Sequence, residues 1–155
     1  MSKNVVIIGG GVMGASAAFH LAEAGVRNVV LLEMGDFASG STSKAAGGVR
    51  AQFSDPINIE LGARGLAAFE NFHVRPGYAI DLHQVGYLFL LTTPAQVETY
   101  RKSIALQNAM GIESRLLPRE EAQALSPAAL TDDVLAAAYH ARDGYCSTEN
   151  VVLGY

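Results

Sequence analysis

The sequence predicts an α/β fold that opens on a strand, a helix and a second strand. Three observations predict it. Val5–Ile8 is an apolar, β-branched run, a helical stretch from Val12 to about Ala24 follows a glycine turn, and Asn28–Leu32 is a second apolar run. Parallel strands covered on both faces read as continuous apolar runs, so both strands are expected to be fully buried. Gly25 supplies the stop between helix and second strand.

The turn carries the chemistry. Gly9, Gly11 and Gly14 fit G-x-G-x-x-G. Gly9 permits the tight turn out of the strand, Gly11 lets the backbone approach a pyrophosphate, and Gly14 lets the helix pack close to the sheet. The helix start, with Val12 and Met13 in its first turn, aims N–H groups at the phosphates. Glu33 closes the second strand, with Met34 after it. A carboxylate there accepts hydrogen bonds from ribose hydroxyls and repels a 2′-phosphate, which disfavours NADP. A bare glycine pattern is also compatible with a structural turn. The flanking strands and the acid favour dinucleotide binding, with FAD and NAD equally served because both contain ADP. Gly14-Ala15-Ser16-Ala17-Ala18 resembles a nucleophile elbow, but Ser16 lies beyond the turn and reads as a helix residue.

The later elements follow in order. Asp36–Phe53 is a long loop rich in Gly, Ser and Ala, and loops of that length are usually functional or disordered. Asp55-Pro56 starts a helix on which Ile59, Leu66, Phe69 and Phe72 have near-helical spacing. Pro76-Gly77 is a turn, and Asp81–Leu91 is extended chain with a bend at Gly86. Thr93-Pro94-Ala95-Gln96 has the spacing of a capping box, opening a helix to about Met110 with Gly111 as its stop. Ile112–Leu117 reads as a strand, Pro118–Leu125 as a short helix and Val134–His140 as a strand, with a tight turn at Asp143-Gly144. Ser147-Thr148-Glu149 caps a last helix, which reaches Tyr155 after about two turns. So short a helix has little area to bury, so the chain is expected to be a fragment of a longer protein or one piece of a nicked one.

Composition narrows the field. The 155 residues are half hydrophobic and 17% charged, which is ordinary for a globular domain. Eleven basic against fifteen acidic residues give a net charge of −4 with no basic stripe, which argues against nucleic acid as a partner. No apolar run reaches the roughly 18 residues of a membrane span. No basic stretch precedes Val5, so a signal peptide is not expected. The single Cys146 excludes an internal disulfide framework and a CxxC metal site. A cytoplasmic location fits these features.

The segment Gly40-Ser41-Thr42-Ser43-Lys44-Ala45-Ala46-Gly47-Gly48-Val49-Arg50 decides between the two dinucleotides. With the N-terminal fingerprint it resembles the D-amino-acid oxidase superfamily of FAD-dependent oxidoreductases, most closely the sarcosine oxidase β-subunit and dimethylglycine dehydrogenase branch. The similarity continues through Gln52-Phe53-Ser54, Asn58–Phe72 and Gly86-Tyr87-Leu88-Phe89-Leu90 to Asp143-Gly144. It implies a Rossmann-like FAD-binding domain of the glutathione-reductase type, followed by the start of an α+β substrate domain on a mainly antiparallel sheet. The implied boundaries are 1–75, 76–146 and 147–155, the last being a helix that returns to the first domain. Family members are longer, and the remaining part would carry most of the substrate pocket.

The resemblance implies roles for this segment. Hydroxyls on Ser41, Thr42 and Ser43 suit phosphate and ribityl oxygens, and the small residues through Gly47 and Gly48 let backbone lie against a flavin ring. Lys44 and Arg50 are its cations, Arg50 being a candidate catalytic residue and either one a partner for phosphate, flavin or a substrate carboxylate. The implied activity is oxidation of the C–N bond of a small amine or amino acid such as sarcosine, dimethylglycine or proline, by hydride transfer to flavin N5. The alternatives are an NAD-linked dehydrogenase and a non-catalytic nucleotide-binding fragment. Many relatives have a proline a few residues after the Asp-Gly turn, where this chain has Thr148-Glu149. Some tether flavin through His or Cys, but Cys146 and the histidines match no tethering motif, so non-covalent FAD is expected. His20, His73, His83 and His140 show neither ligand spacing nor an evident carboxylate partner, so no metal site is expected. Tyr87 and Tyr145 are candidates for the substrate side, although core or interface aromatics are the commoner role.

Overall fold

The computed structural model describes residues 4–128 and 132–155. Residues 1–3 and 129–131, in the expected first and second domains, lie outside the described residues. The elements run β1 (Asn4–Ile8), α1 (Val12–Glu23), β2 (Asn28–Leu32), β3 (Gly48–Val49), α2 (Pro56–Glu70), β4 (Tyr87–Leu91), α3 (Pro94–Ala109), β5 (Arg115–Pro118), α4 (Arg119–Leu125), β6 (Ala136–His140), β7 (Gly144–Tyr145) and α5 (Thr148–Gly154). The architecture is α/β.

The chain forms two compact units, one of residues 1–48, 69–82 and 146–155, the other of 49–68 and 83–145. The chain passes to the second unit after residue 48, returns at 69 and passes again after 82, so most of α2 belongs with the second unit and only its last two residues with the first.

In the first unit β1 and β2 are parallel, in register from Asn4 opposite Asn28 to Ile8 opposite Leu32. A parallel pair needs a crossover, and α1 supplies it. α1 packs against both strands and against α5. The helix contact closes through Ala15, Ala38 and Val152, with Val12 and Tyr155 against them. Phe72 is buried and meets the Tyr155 ring edge-on at 4.9 Å. The expectation that both strands are buried is corrected: Val6, Ile8, Val30 and Leu32 are exposed, Ile8 at 88%. Their alternating burial shows why. Successive side chains point to opposite faces, and among the described residues of this unit α1 covers only one of them.

In the second unit three antiparallel strands lie in the order β4, β6, β5. The central strand, β6, is mostly alanine, and Ala136, Ala137 and Ala138 are all buried. Such small residues have low strand propensity, but they suit a strand crowded by neighbours, which is where tertiary context outweighs propensity. α3 packs against all three strands, and α4 against β5 and β6. Ile59 and Leu66 give α2 its buried stripe. Asp55 caps it, accepting from the Asn58 N–H at 3.0 Å.

The capping box forms at α3. Thr93 Oγ1 accepts from the Gln96 N–H at 3.2 Å, and Gln96 Oε1 accepts from the Thr93 N–H at 3.0 Å. Thr93→Ala is expected to cost about 1 kcal/mol. Urea denaturation measures this, and an unchanged midpoint would show that Pro94 and the box's other half suffice. The tight turn expected at Asp143-Gly144 lies two residues earlier, at Ala141-Arg142, and Gly144 already begins β7. The Asp143 side chain is held elsewhere, as described below.

Candidate functional site

The glycine turn joins the C-terminal end of β1 to the N-terminus of α1. Gly9 has φ +108°, and its N–H donates to the Leu32 carbonyl at 2.7 Å, tying the turn to the end of β2. Gly14 is buried, and a Cβ there would stand inside the Gly9 carbonyl oxygen. Gly11 caps α1 in extended conformation without a side-chain bond of its own. The first-turn N–H groups of a helix have no acceptor within it. Thr42 Oγ1 takes that of Val12 at 3.1 Å, which leaves those of Met13 and Gly14. Met13 is largely exposed and Met34 fully so, beside this opening.

Glu33 is not idle in the protein alone. Its Oε2 accepts from the Gly10 N–H at 2.6 Å and its Oε1 from the Gly35 N–H at 2.9 Å. These bonds, Gly10 first and Gly35 next, hold its carboxyl below the ordinary glutamate range. Each oxygen retains a lone pair for a further donor such as a ribose hydroxyl. The folded pKa is depressed, so the stability Glu33 contributes is present in full above the unfolded value and is lost as pH falls through the folded one. Turn stability, and nucleotide retention with it, is therefore expected to be flat around neutrality and to decline in acid. Glu33→Gln should remove the part of that acid decline due to this residue, and an unaltered acid profile would contradict this role.

The loop after β2 folds back onto the turn. The Ala38 N–H donates to the Gly10 carbonyl at 3.0 Å, and the Ser43 N–H donates to the Ala38 carbonyl at 3.0 Å. Ala38 is buried with φ +64°, an uncommon backbone for a residue with a Cβ. Of the three hydroxyls, only Thr42 is buried and meets the turn. Ser43 closes a local turn onto the Gly40 carbonyl at 3.2 Å, and Ser41 is exposed, as is Lys44. Gly47 has φ +70° and its carbonyl accepts from the Cys146 N–H at 2.9 Å, while Gly48 is exposed with open space around its Cα. The Cys146 thiol is buried, which pushes its pKa up. Sequence reading did not single out Gly10 or Ala38. A loop that returns to a turn leaves no periodic signal.

Arg50 belongs to the second unit. Its guanidinium carbon lies 4.7 Å from the centroid of the Phe53 ring, 5.1 Å from Phe89 and 5.7 Å from Tyr87. Among the described residues it forms no ion pair. It borders a cavity of about 290 Å³ that Gln52, Phe89, Tyr100 and Gln107 also line. The Tyr100 hydroxyl pKa is raised by burial, against the opposing pull of Arg50. The Gln52 Nε2 donates to the Tyr87 carbonyl at 3.0 Å, and that of Gln107 to the Phe53 carbonyl at 2.7 Å. Both partners are acceptors, which fixes each amide's orientation. The two Oε1 atoms are therefore buried acceptors without a protein partner.

His140 corrects the reading that no histidine has a carboxylate partner. Its Nδ1 lies 2.6 Å from Asp143 Oδ1, and both residues are buried. The partner is three residues on, across the turn that follows β6, where the alternation of a strand would not bring it close. His20 is on the helix surface near Glu23 and Arg75, and the His83 ring stacks on Tyr145 at 5.0 Å. Among the described residues no group of His, Cys, Asp and Glu has the arrangement of a metal site. No helix among them is long and apolar enough to cross a membrane.

The residues around the turn fit an ADP-containing cofactor: free first-turn N–H groups, an ionised carboxylate with spare lone pairs and a glycine face without side chains. Comparison with known proteins gives the same direction. The family model described as DAO, FAD dependent oxidoreductase, matches residues 4–155. The chain is 36% identical over 141 residues to the mitochondrial dimethylglycine dehydrogenase of Rattus norvegicus, covering 90% of this chain and 16% of that protein. It is 30% identical over 155 residues to the glycine oxidase of Geobacillus kaustophilus, covering 96% of this chain and 41% of that protein. Among solved structures, L-proline dehydrogenase from P. horikoshii superposes with a TM-score of 0.89 at 31% identity, over 99% of this chain and 40% of that one. The chain thus spans less than half the length of each of these relatives.

Proposed function

The chain belongs to the DAO family of FAD-dependent oxidoreductases, and from that premise we propose that it holds the ADP half of FAD and forms part of an enzyme that oxidises the C–N bond of a small amine or amino acid. The observation that carries the reading is the pairing at the turn. Thr42 takes the Val12 N–H and leaves those of Met13 and Gly14 for a pyrophosphate, while Glu33 is fixed by Gly10 and Gly35 with lone pairs left for ribose hydroxyls.

When bound, FAD supplies the two-electron acceptor, at N5, for a hydride from the carbon beside the substrate nitrogen. The protein's part is positioning. Gly9 and Gly11 keep the turn's face free of side chains, Gly14 lets α1 close on β1, Thr42 and Ser41 offer hydroxyl donors, and Gly47 and Gly48 offer backbone N–H groups toward the flavin ring. Met13 and Met34 give apolar surface beside the nucleotide. Arg50, held among three rings with no carboxylate of its own, takes the substrate carboxylate. Cys146 is buried with a raised pKa, which supports FAD held without a covalent bond.

Dimethylglycine dehydrogenase, glycine oxidase and L-proline dehydrogenase among the relatives point to an N-methylated, primary or cyclic amino acid as substrate. Anaerobic titration of the intact flavoprotein with dimethylglycine, sarcosine, glycine and proline tests this. Bleaching of the flavin band by one of them is expected. A flavin that none of them reduces, in a protein that reduces NAD instead, would replace this reading with the NAD-linked one.

A further inference from the structure

We propose that Asp143 is a positioning residue that sets the place of the Arg50 guanidinium. The proposal rests on the reading of Arg50 as the carboxylate-binding cation. All the groups involved lie in the second unit.

Asp143 is 0% exposed and His140 2%. Three donors converge on the Asp143 carboxylate. The Ala51 N–H reaches Oδ1 at 2.9 Å, His140 Nδ1 reaches the same oxygen at 2.6 Å, and Gln52 Nε2 reaches Oδ2 at 3.2 Å. An ionised carboxylate only accepts, so His140 carries its proton on Nδ1. The Ala51 N–H belongs to the same peptide group as the Arg50 carbonyl. Fixing it fixes the plane from which the Arg50 side chain departs.

The same residue also holds the opposite wall. Gln52 passes the tie on to the Tyr87 carbonyl at 3.0 Å, and the Asp143 carbonyl accepts from the Gly86 N–H at 2.8 Å. Tyr87 is one of the three rings around Arg50. One buried residue therefore anchors both the peptide that carries the guanidinium and the strand that carries part of its cage. This matters because Arg50 has no ion pair to hold it. Cation–ring contacts at half-exposed sites are weak and tolerant of direction. The position of the guanidinium is thus determined by backbone anchors, and Asp143 is the point where they meet.

The test uses the intact flavoprotein and two readouts. The first is the Arg50 Nε–H resonance, displaced by the ring currents of Phe53, Tyr87 and Phe89 and assigned by its loss in Arg50→Lys. Asp143→Asn is expected to move it toward the position of a free arginine. An unmoved resonance in a folded Asp143→Asn protein would overturn the proposal. The second is acetate binding by calorimetry, which needs no turnover. Asp143→Asn is expected to weaken it about tenfold, as a displaced binding group does, but to change nothing further in an Arg50→Ala background. Equal losses in both backgrounds would show a merely structural role and overturn the proposal. If Asp143→Asn does not fold, Gln52→Met removes the bonds to Asp143 Oδ2 and the Tyr87 carbonyl while leaving the Ala51 anchor, and it is held to the same two criteria. A wild-type protein that binds no acetate would refute the carboxylate reading of Arg50, while the resonance would still decide the role of Asp143.

Discussion

Gly14→Ala is expected to yield a protein that retains little or no nucleotide and melts earlier than wild type. The methyl group would stand inside the Gly9 carbonyl oxygen. That obstacle cannot swing away. The Gly9 carbonyl belongs to the turn itself, and the Gly9 N–H is bonded to Leu32. Relief therefore requires α1 to move off β1, which opens the contact of Ala15 with Ala38 and Val152. Overpacking of this kind costs about 1–3 kcal/mol in stability. The N–H groups of the first turn move with the helix, so the loss of nucleotide should exceed what the loss of stability alone would produce. The measurements are cofactor content per polypeptide and a melting curve. Full cofactor content in Gly14→Ala would show that the helix start does not hold the ligand.

Gly47→Ala is expected to have the second largest effect, for two reasons that add. The residue sits at φ +70°, where a Cβ is strained. The added Cβ would also stand inside the Cys146 carbonyl oxygen, and the neighbouring Cys146 N–H already bonds to the Gly47 carbonyl. The backbone at Gly47, just before β3, and that at Cys146, just before the α5 cap, must then separate. About 1–2 kcal/mol for the left-handed backbone and a similar amount for the clash are expected as lost stability. Gly48→Ala is the control: open space surrounds its Cα, so its stability should stay close to wild type. Chemical denaturation of both variants reads the difference. Equal midpoints would mean that the Gly47 conformation relaxes without cost.

Most of the fold was legible because it is encoded locally. The β-branched runs, the glycine pattern, the Thr93 capping box and the Asp55-Pro56 helix start each act within a few residues, and each lies where the sequence predicts it. What was not legible depends on distant partners. Glu33 could be read as an acid at a strand end, but not as the acceptor for Gly10 and Gly35. Three adjacent hydroxyls looked equivalent, and only the return of the loop on Ala38 selects Thr42. A continuous apolar run says that two covers are wanted, whereas among the described residues of the first unit α1 covers one face of β1 and β2. The His140–Asp143 pair has no signature in the sequence, because turn geometry has no period.

The central claim is that the cradle formed by Gly9, Gly11, Gly14, Thr42 and Glu33 holds FAD. Its most direct test is the identity of the nucleotide that accompanies the natively purified, full-length protein. Flavin bands at about 370 and 450 nm, with FAD released intact into the supernatant on acid precipitation, are the predicted result. A colourless protein that retains NAD, or one that carries no nucleotide and takes up no added FAD, would contradict it.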